Sequence, residues 1–355
     1  MTRGKTLRVA LAGTGYIAAI HAQAVMNYQA KQNPGGDFEG GVELVAVVAR
    51  HSGKTAEFAR KFHINHRFEN IEEAMKKGGF DALVIGTPNY LHAPQAIAAL
   101  RAGVHVLVEK PMAMNSAECE GMLQASQKSG ATLMVAHCWR FDEDVLWLKE
   151  RVHRLGKIIR SKGYGVHTRW GPAGWFTQKN LAGGGAVADM GIHALDTVCF
   201  LLGDPQPVSV YAHIGTYYKD FDVDDTGVML VNWDNGTVSY IESGWWQPHS
   251  DGAEAATQLY GTEGFGQLFP TYALLPTEAS VSSAGQGDPE RVEAGFPFPR
   301  QQHCPQILYD RQMAYFFDCI HSGQTPVPGG QEGLINMRIV DAAYESARIG
   351  SVVKL

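Results

Sequence analysis

The chain has 355 residues, 45% of them hydrophobic and 19% charged, with a formal net charge of −6. That length is more than one ordinary core supports and predicts two domains, while the composition is that of a globular protein and not a disordered one. Apolar runs are strand-sized, short of the ~20 residues that span a bilayer, and an acidic balance without a basic block argues against nucleic acid.

The opening Met1–Lys5 leads into the first strand without an apolar leader, and the five cysteines (Cys119, Cys138, Cys199, Cys304, Cys319) are scattered with no CxxC pair. Reduced thiols and a cytoplasmic location are expected. The apolar run from Leu7 ends in Gly13-Thr14-Gly15-Tyr16-Ile17-Ala18, a G-x-G-x-x-A turn that passes into an alanine-rich stretch. In a dinucleotide-binding βα turn the first glycine permits the tight bend and the second admits the pyrophosphate. The small third residue lets the helix lie close to the sheet, and the helix N-terminus offers free N–H groups to the phosphates. Gly13, Thr14, Gly15, Tyr16 and Ile17 therefore head the cofactor-binding set.

A helix over 16–28 is expected, then a polar, glycine-rich insert from Lys31 to Gly41 and a strand over 42–49. The strand ends in Val48-Ala49-Arg50-His51-Ser52-Gly53-Lys54, without the acid that commonly accepts the ribose 2′-hydroxyl of NAD. Arg50, helped by Ser52 and Lys54, suits a 2′-phosphate, so NAD(P) is expected with NADP favoured; Arg50 stacking on the adenine of NAD is the alternative. Helices over 55–62, 71–77, 94–101 and 116–129 then alternate with strands near 67–68 and over 82–85, 105–108 and 132–136. This alternation predicts an α/β Rossmann domain, a doubly wound parallel sheet over residues 1–136.

The texture changes after 136. A helix over 141–155, a strand over 158–167 and a helix over 189–202 precede β segments at 208–217, 226–233 and 237–246. Asp234-Asn235-Gly236 predicts a two-residue type I′ hairpin. A β pair at 255–260 and 264–269, a long loop over 274–305 and helices over 307–321 and 334–349 complete the chain. Residues 137–355 thus read as an α+β substrate-binding and oligomerisation domain with a large open, mainly antiparallel sheet. Its last helix (about 331–350) is expected to pack back near the first domain. The other sheet face is expected either to form a subunit interface, in a homodimer or homotetramer, or to be covered within the chain.

Three segments carry chemistry. Thr87-Pro88-Asn89 with His92 follows a buried strand, where side chains reach a cofactor's ribose or phosphates; a plain capped helix start is the alternative. Glu109-Lys110-Pro111 follows the next strand, and charges there carry a desolvation cost. Pro111 holds Lys110 out of the helical region, and an ammonium there stabilises negative charge on a reacting oxygen. Glu109 would orient it or contact the nicotinamide ribose, against the alternative of a strand-end salt bridge. The third segment runs Gly183-Gly184-Gly185 to Asp189, His193 and Asp196. On a helix Asp189 and His193 share a face, and a histidine beside a carboxylate serves as general acid/base; a satisfied buried pair is the alternative. His137, Arg140, Arg169 and Trp175, with Trp170 and Phe176 nearby, are expected to bind substrate: tryptophan faces stack on sugars and arginine donates to hydroxyls. No metal site is expected, since His63 and His66 lack a third ligand with suitable spacing.

In this order the segments resemble the Gfo/Idh/MocA oxidoreductases, named for glucose–fructose oxidoreductase and inositol dehydrogenase. The closing run Asp341-Ala342-Ala343-Tyr344-Glu345-Ser346-Ala347-Arg348-Ile349-Gly350 is similar to that family's last helix. The resemblance implies Lys110, Asp189 and His193 as the catalytic group, with His193 exchanging the proton. It implies hydride transfer between NAD(P) and a secondary alcohol or ketone of a sugar, polyol or inositol-like compound. A glycosidase working by transient oxidation and elimination, or a non-catalytic cofactor-binding regulator, are the rival readings. The insert after the first helix and the missing acid beside Arg50 depart from the family's pattern.

Overall fold

The structure, a computed structural model, describes residues 6–32, 41–50, 52–248, 255–277, 288–297 and 304–355. It divides into two compact units, Met1–Cys138 with Cys304–Leu334, and Trp139–His303 with Ile335–Leu355.

In the first unit the alternating pattern gives β1 (Leu7–Ala12), α1 (Tyr16–Gln32), β2 (Val42–Val48), α2 (Ser52–Lys61), β3 (His66–Phe68), α3 (Ile71–Lys77) and β4 (Ala82–Ile85). α4 (His92–Arg101), β5 (His105–Glu109), α5 (Ser116–Ser129) and β6 (Leu133–Ala136) follow. All six strands are parallel in the order β3-β2-β1-β4-β5-β6, so winding reverses between β1 and β4. Every residue of β4 is buried, as expected of a strand covered on both faces. Asn70 and Asn115 start α3 and α5 by accepting the N–H of Glu73 and Glu118. Helix α1 runs four residues past the expected end; of the insert, residues 33–40 lie outside the described residues.

The second unit contains α6 (Glu143–Lys149), β7 (Ile158–Thr168), α7 (Lys179–Ala182), α8 (Ile192–Leu202), β8 (Pro207–Gly215), β9 (Thr226–Trp233), β10 (Val238–Gln247) and β11 (Thr257–Gly261). Strands β12 (Phe265–Gln267), β13 (Tyr272–Leu275), β14 (Glu290–Glu293) and β15 (Val353–Lys354) complete it. The sheet order is β14-β13-β12-β11-β7-β10-β9-β8-β15, antiparallel except for the β7–β10 pair.

The helix expected over 141–155 is shorter: Asp142 is extended (φ −78°, ψ 136°) and caps α6 by accepting from the Asp144 and Val145 N–H groups, and α6 ends at Lys149, followed by a 3₁₀ turn over Val152–Leu155. The expected loop over 274–305 includes strand β14, paired with β13; residues 278–287 and 298–303 lie outside the described residues. The hairpin after Trp233 is not type I′. Only Gly236 has positive φ (83°), its N–H bonds Trp233 O at 3.0 Å, and Trp233 N–H bonds Thr237 O at 3.0 Å. That is a type I turn followed by a left-handed glycine, a three-residue loop. Residues 179–202 have the length and apolar composition of a membrane span, yet 83% of the apolar window is buried within the fold.

Helix α9 (Gln306–Ser322) belongs to the first unit, not the second domain where the sequence reading put it. It packs on α1: Asn27 Nδ2 donates to both Asp310 carboxylate oxygens at 3.0 and 2.9 Å, and Phe317 meets the Tyr28 ring edge-on at 5.0 Å. The last helix, α10 (Gly330–Ile349), is divided between the units after Leu334.

Candidate active site

The residues expected to bind a nucleotide lie at the carboxyl ends of β1, β2, β4 and β5 of the first unit. Gly13 adopts φ +108°, and a Cβ there would lie 2.5 Å from Gly86 O, so only glycine fits where the β1 and β4 loops meet. A Cβ on Gly15 would meet nothing within 4 Å, and Tyr16 beside it is 82% exposed. The first turn of α1 has no acidic residue to compete for an anion. These features fit a dinucleotide's pyrophosphate, with Thr14 and Ile17 half-buried alongside. At the end of β2, exposed Arg50 donates from Nη2 to Tyr90 Oη at 2.9 Å; the Ser52 side chain lies outside the described residues.

After β4, Thr87 Oγ1 donates to Gln95 Oε1 at 2.9 Å, Pro88 is half-buried, and Asn89 is buried in a single 3₁₀ turn over Asn89–Leu91 that leads into α4. His92 does not point into an open crevice as the sequence suggested. Its buried ring lies between Pro111 O (Nδ1, 2.9 Å) and Thr87 O (Nε2, 2.8 Å), tying the end of β4 to the segment after β5. After β5, Glu109 is buried, and its Oε2 accepts the Lys110 N–H at 3.1 Å. Its Oε1 lies 2.7 Å from Nε2 of His21, a buried histidine on α1 absent from the sequence reading. Lys110 is half-buried and His137, at the end of β6, is buried.

Burial lowers the pKa of His92 despite its carbonyl contacts and nearby Glu109, and burial likewise lowers that of His105. His105 Nδ1 accepts the Thr132 N–H at 3.0 Å, consistent with a neutral ring. In the unfolded chain these rings take up protons near their ordinary value of about 6.5, whereas the folded protein resists. The unfolded state then binds more protons, so stability is full above about pH 6.5 and falls below it. Denaturant unfolding at about pH 7.5 and about pH 5.5 is expected to show a loss of up to about 1.4 kcal/mol from His92, with a smaller loss from His105. The pH slope shrinks in His92→Gln; an unchanged slope in that variant contradicts the assignment.

In the second unit the glycine run is pinned by an aspartate far along the chain. Asp224 Oδ1 accepts the Gly185 N–H and Oδ2 the Val187 N–H, both at 2.8 Å, and Tyr344 Oη donates to Oδ1 at 2.7 Å. A Cβ on Gly185 would lie 1.8 Å from Asp224 O, so this close approach requires glycine. Burial pushes the Asp224 carboxyl above its usual range, with the hydrogen bonds from Tyr344, Val187 and Gly185 opposing it. The chain then makes a π turn over Val187–Gly191 before α8, in place of the regular helix expected from 189. Asp189 sits in this wide turn, half-buried, and Oδ2 accepts from Trp245 Nε1 at 3.0 Å. His193 lies in the first turn of α8 and is 8% exposed. Wide turns of this kind recur at functional sites.

Of the expected substrate residues, Arg169 is exposed with φ 55°, and Trp175 is half-buried and stacked on Phe176 (3.8 Å, 25°). Phe176 packs against the core of Ala186, Met190, Val223 and Trp245. Arg140 is corrected: it is an internal strut, not a ligand. Its guanidinium makes two bonds to Asp196 (2.9 and 2.8 Å) and two to Asp204 (3.1 and 2.7 Å), and Asn336 Nδ2 donates to Asp196 Oδ1 at 2.9 Å. Burial opposes the charge, but Asp196 and then Asp204 outweigh it and hold Arg140 above its ordinary pKa. The sequence reading missed Asp224 and Trp245 as well as His21. No local spacing links Asp224 to Gly185 or Trp245 to Asp189, which pair across 39 and 56 residues. His21 alone left a trace, as a polar residue one turn beyond Ala18 in an otherwise buried helix face.

Two family models match the chain: the oxidoreductase family with an NAD-binding Rossmann fold over residues 7–137, and the GFO/IDH/MocA C-terminal domain over 148–265. The chain is 26% identical to D-glucoside 3-dehydrogenase of Escherichia coli (strain K12), covering 98% of this chain and 97% of that protein. It is 28% identical to D-xylose 1-dehydrogenase (NADP(+)) 2 of Haloferax volcanii, covering 88% and 92% respectively. Its fold matches that of levoglucosan dehydrogenase in complex with NADH and levoglucosan, with TM-score 0.85 at 23% identity over 99% of each chain. The G-x-G-x-x-A turn, the Glu109-Lys110-Pro111 segment and the pinned glycine run thus stand in a sequence that belongs to the Gfo/Idh/MocA family of oxidoreductases.

Proposed function

We propose that this protein is an NAD(P)-dependent dehydrogenase or reductase that interconverts a secondary alcohol and a ketone on a sugar, polyol or inositol-like substrate. The observation that carries the reading is Lys110: a lysine anchored at the end of β5, in the same unit as a glycine turn open to a pyrophosphate. When bound, the dinucleotide supplies the hydride acceptor or donor. Gly13, Thr14, Gly15, Tyr16 and Ile17 hold its phosphates, with Thr87, Pro88, Asn89 and Glu109 along the riboses; His92 acts through the two segments it joins. In oxidation His193 takes the hydroxyl proton and the Lys110 ammonium stabilises the alkoxide-like charge; in reduction the roles reverse. Asp189, held by Trp245, fixes substrate hydroxyls or orients this group. His137, Arg169 and Trp175 complete the substrate set.

Arg50, with no acid between Val48 and Lys54, supports NADP over NAD. The sheet face opposite α8 carries half-exposed Tyr211 and Leu230, paired across β8 and β9, and supports a homodimer or homotetramer. The five cysteines, none of them in a disulfide among the described residues, support a cytoplasmic location. The test is a panel of sugars and polyols offered with NAD and NADP, read by reduced-nicotinamide absorbance. Net accumulation with at least one sugar, stronger with NADP, is expected. Glycoside cleavage without net redox would replace the reading with the elimination mechanism, and inactivity throughout would favour a regulator.

A further inference from the structure

Glu109-Lys110-Pro111 is gripped at both ends by buried histidines. His92 meets the Pro111 carbonyl at 2.9 Å, and His21 meets the Glu109 carboxylate at 2.7 Å. His21 is the more telling of the two. Its ring is fully buried on α1, and Tyr309 of α9 sets an edge against it (centroids 5.6 Å apart, planes at 88°). Its Nε2 donates to Glu109 Oε1, and the other oxygen of that carboxylate accepts the Lys110 N–H. Its Nδ1 is buried with no hydrogen-bond partner among the described residues. A buried ring nitrogen without a hydrogen bond carries a cost, which the contact made by the other nitrogen offsets. The residue is explained by what its other nitrogen does.

We propose that His21 is a positioning residue for Lys110: it fixes the Glu109 carboxylate, which in turn fixes the backbone from which the lysine side chain departs. A lysine stem has four rotatable bonds, so a shift at its root moves the ammonium, and displacement of about 1 Å at a reacting centre costs up to about 100-fold in rate. The inference rests on the reading of Lys110 as the group at the reacting oxygen, and its test separates the two.

His21→Gln places an amide N–H where the ring Nε2 stood; His21→Asn stops short of Glu109; His21→Leu removes the donor. Each is made in the full chain and in the Lys110→Ala background. Readouts are kcat with a substrate from the panel, the dinucleotide dissociation constant, melting, and the ¹³C resonance of reductively methylated Lys110, assigned by its loss in Lys110→Ala. The Leu and Asn variants are expected to lose at least about tenfold in kcat, while Gln stays within about threefold. The Lys110 resonance moves in Leu and Asn but not in Gln, and on Lys110→Ala the His21→Leu change adds less than about twofold. If His21→Leu does not fold, the Gln–Asn pair decides. Equal kcat and equal resonances in those two overturn the proposal, as does a full additional loss on Lys110→Ala. A resonance that moves without a change in kcat leaves the positioning intact and sinks the catalytic reading of Lys110.

Discussion

Lys110→Ala is expected to lower kcat by about 100- to 1000-fold while the dinucleotide dissociation constant changes by less than about threefold. The size follows from the chemistry: a fixed cation at a developing alkoxide acts mainly on the transition state, so its loss appears in kcat more than in affinity. The selectivity follows from location. The proposed pyrophosphate contacts are at Gly13 to Ile17, on another βα turn, and the mutation leaves the Glu109 carboxylate and the Pro111 carbonyl with their histidines. Lys110→Arg keeps a charge but changes its reach and hydration, and is expected to recover only part of the rate. Turnover of Lys110→Ala within about threefold of the native enzyme would remove the lysine from the chemistry.

Arg140→Ala carries the largest expected loss of stability, about 3–5 kcal/mol, with melting lowered by roughly 10 °C. The guanidinium is buried with four bonds to two carboxylates, and its removal leaves the buried Asp196 carboxylate facing Asp204 without the cation between them. Asn336 still donates to Asp196, which keeps the loss short of that for an isolated buried charge. Arg140→Lys cannot reproduce the paired forks and is expected to recover less than half of the loss. An Arg140→Ala protein of native stability but impaired sugar affinity would return Arg140 to the substrate set.

What the sequence disclosed was local or periodic. The strand–glycine–helix turn and the buried apolar strands follow from neighbours a few residues apart, so the first sheet could be read almost strand by strand. What it concealed depends on distant partners. Nothing near residue 310 announces that Asp310 will meet Asn27, so α9 was assigned to the wrong half. Asn235-Gly236 suited a two-residue hairpin, but only Gly236 takes positive φ. Asp142 looked like one more helical residue and proved to be a cap. Lys110, Asp189 and His193 stand out in the sequence as candidates because their types suggest chemistry. The groups that hold the segment around them (His21, Asp224, Trp245) do not, because a buried histidine, aspartate or tryptophan has no local signature until its partner is known. Arg140 failed in the opposite sense: its chemistry suited a ligand, and burial between two aspartates gave it another task.

Direct hydride transfer between a sugar carbon and the nicotinamide is tested with a substrate from the panel carrying deuterium on the carbon to be oxidised. Mass spectrometry of the released reduced dinucleotide is expected to find one deuterium per molecule, with the label on nicotinamide C4 and its appearance slowed in step with kcat in Lys110→Ala. Oxidised sugar formed while the dinucleotide stays unlabelled would contradict the account.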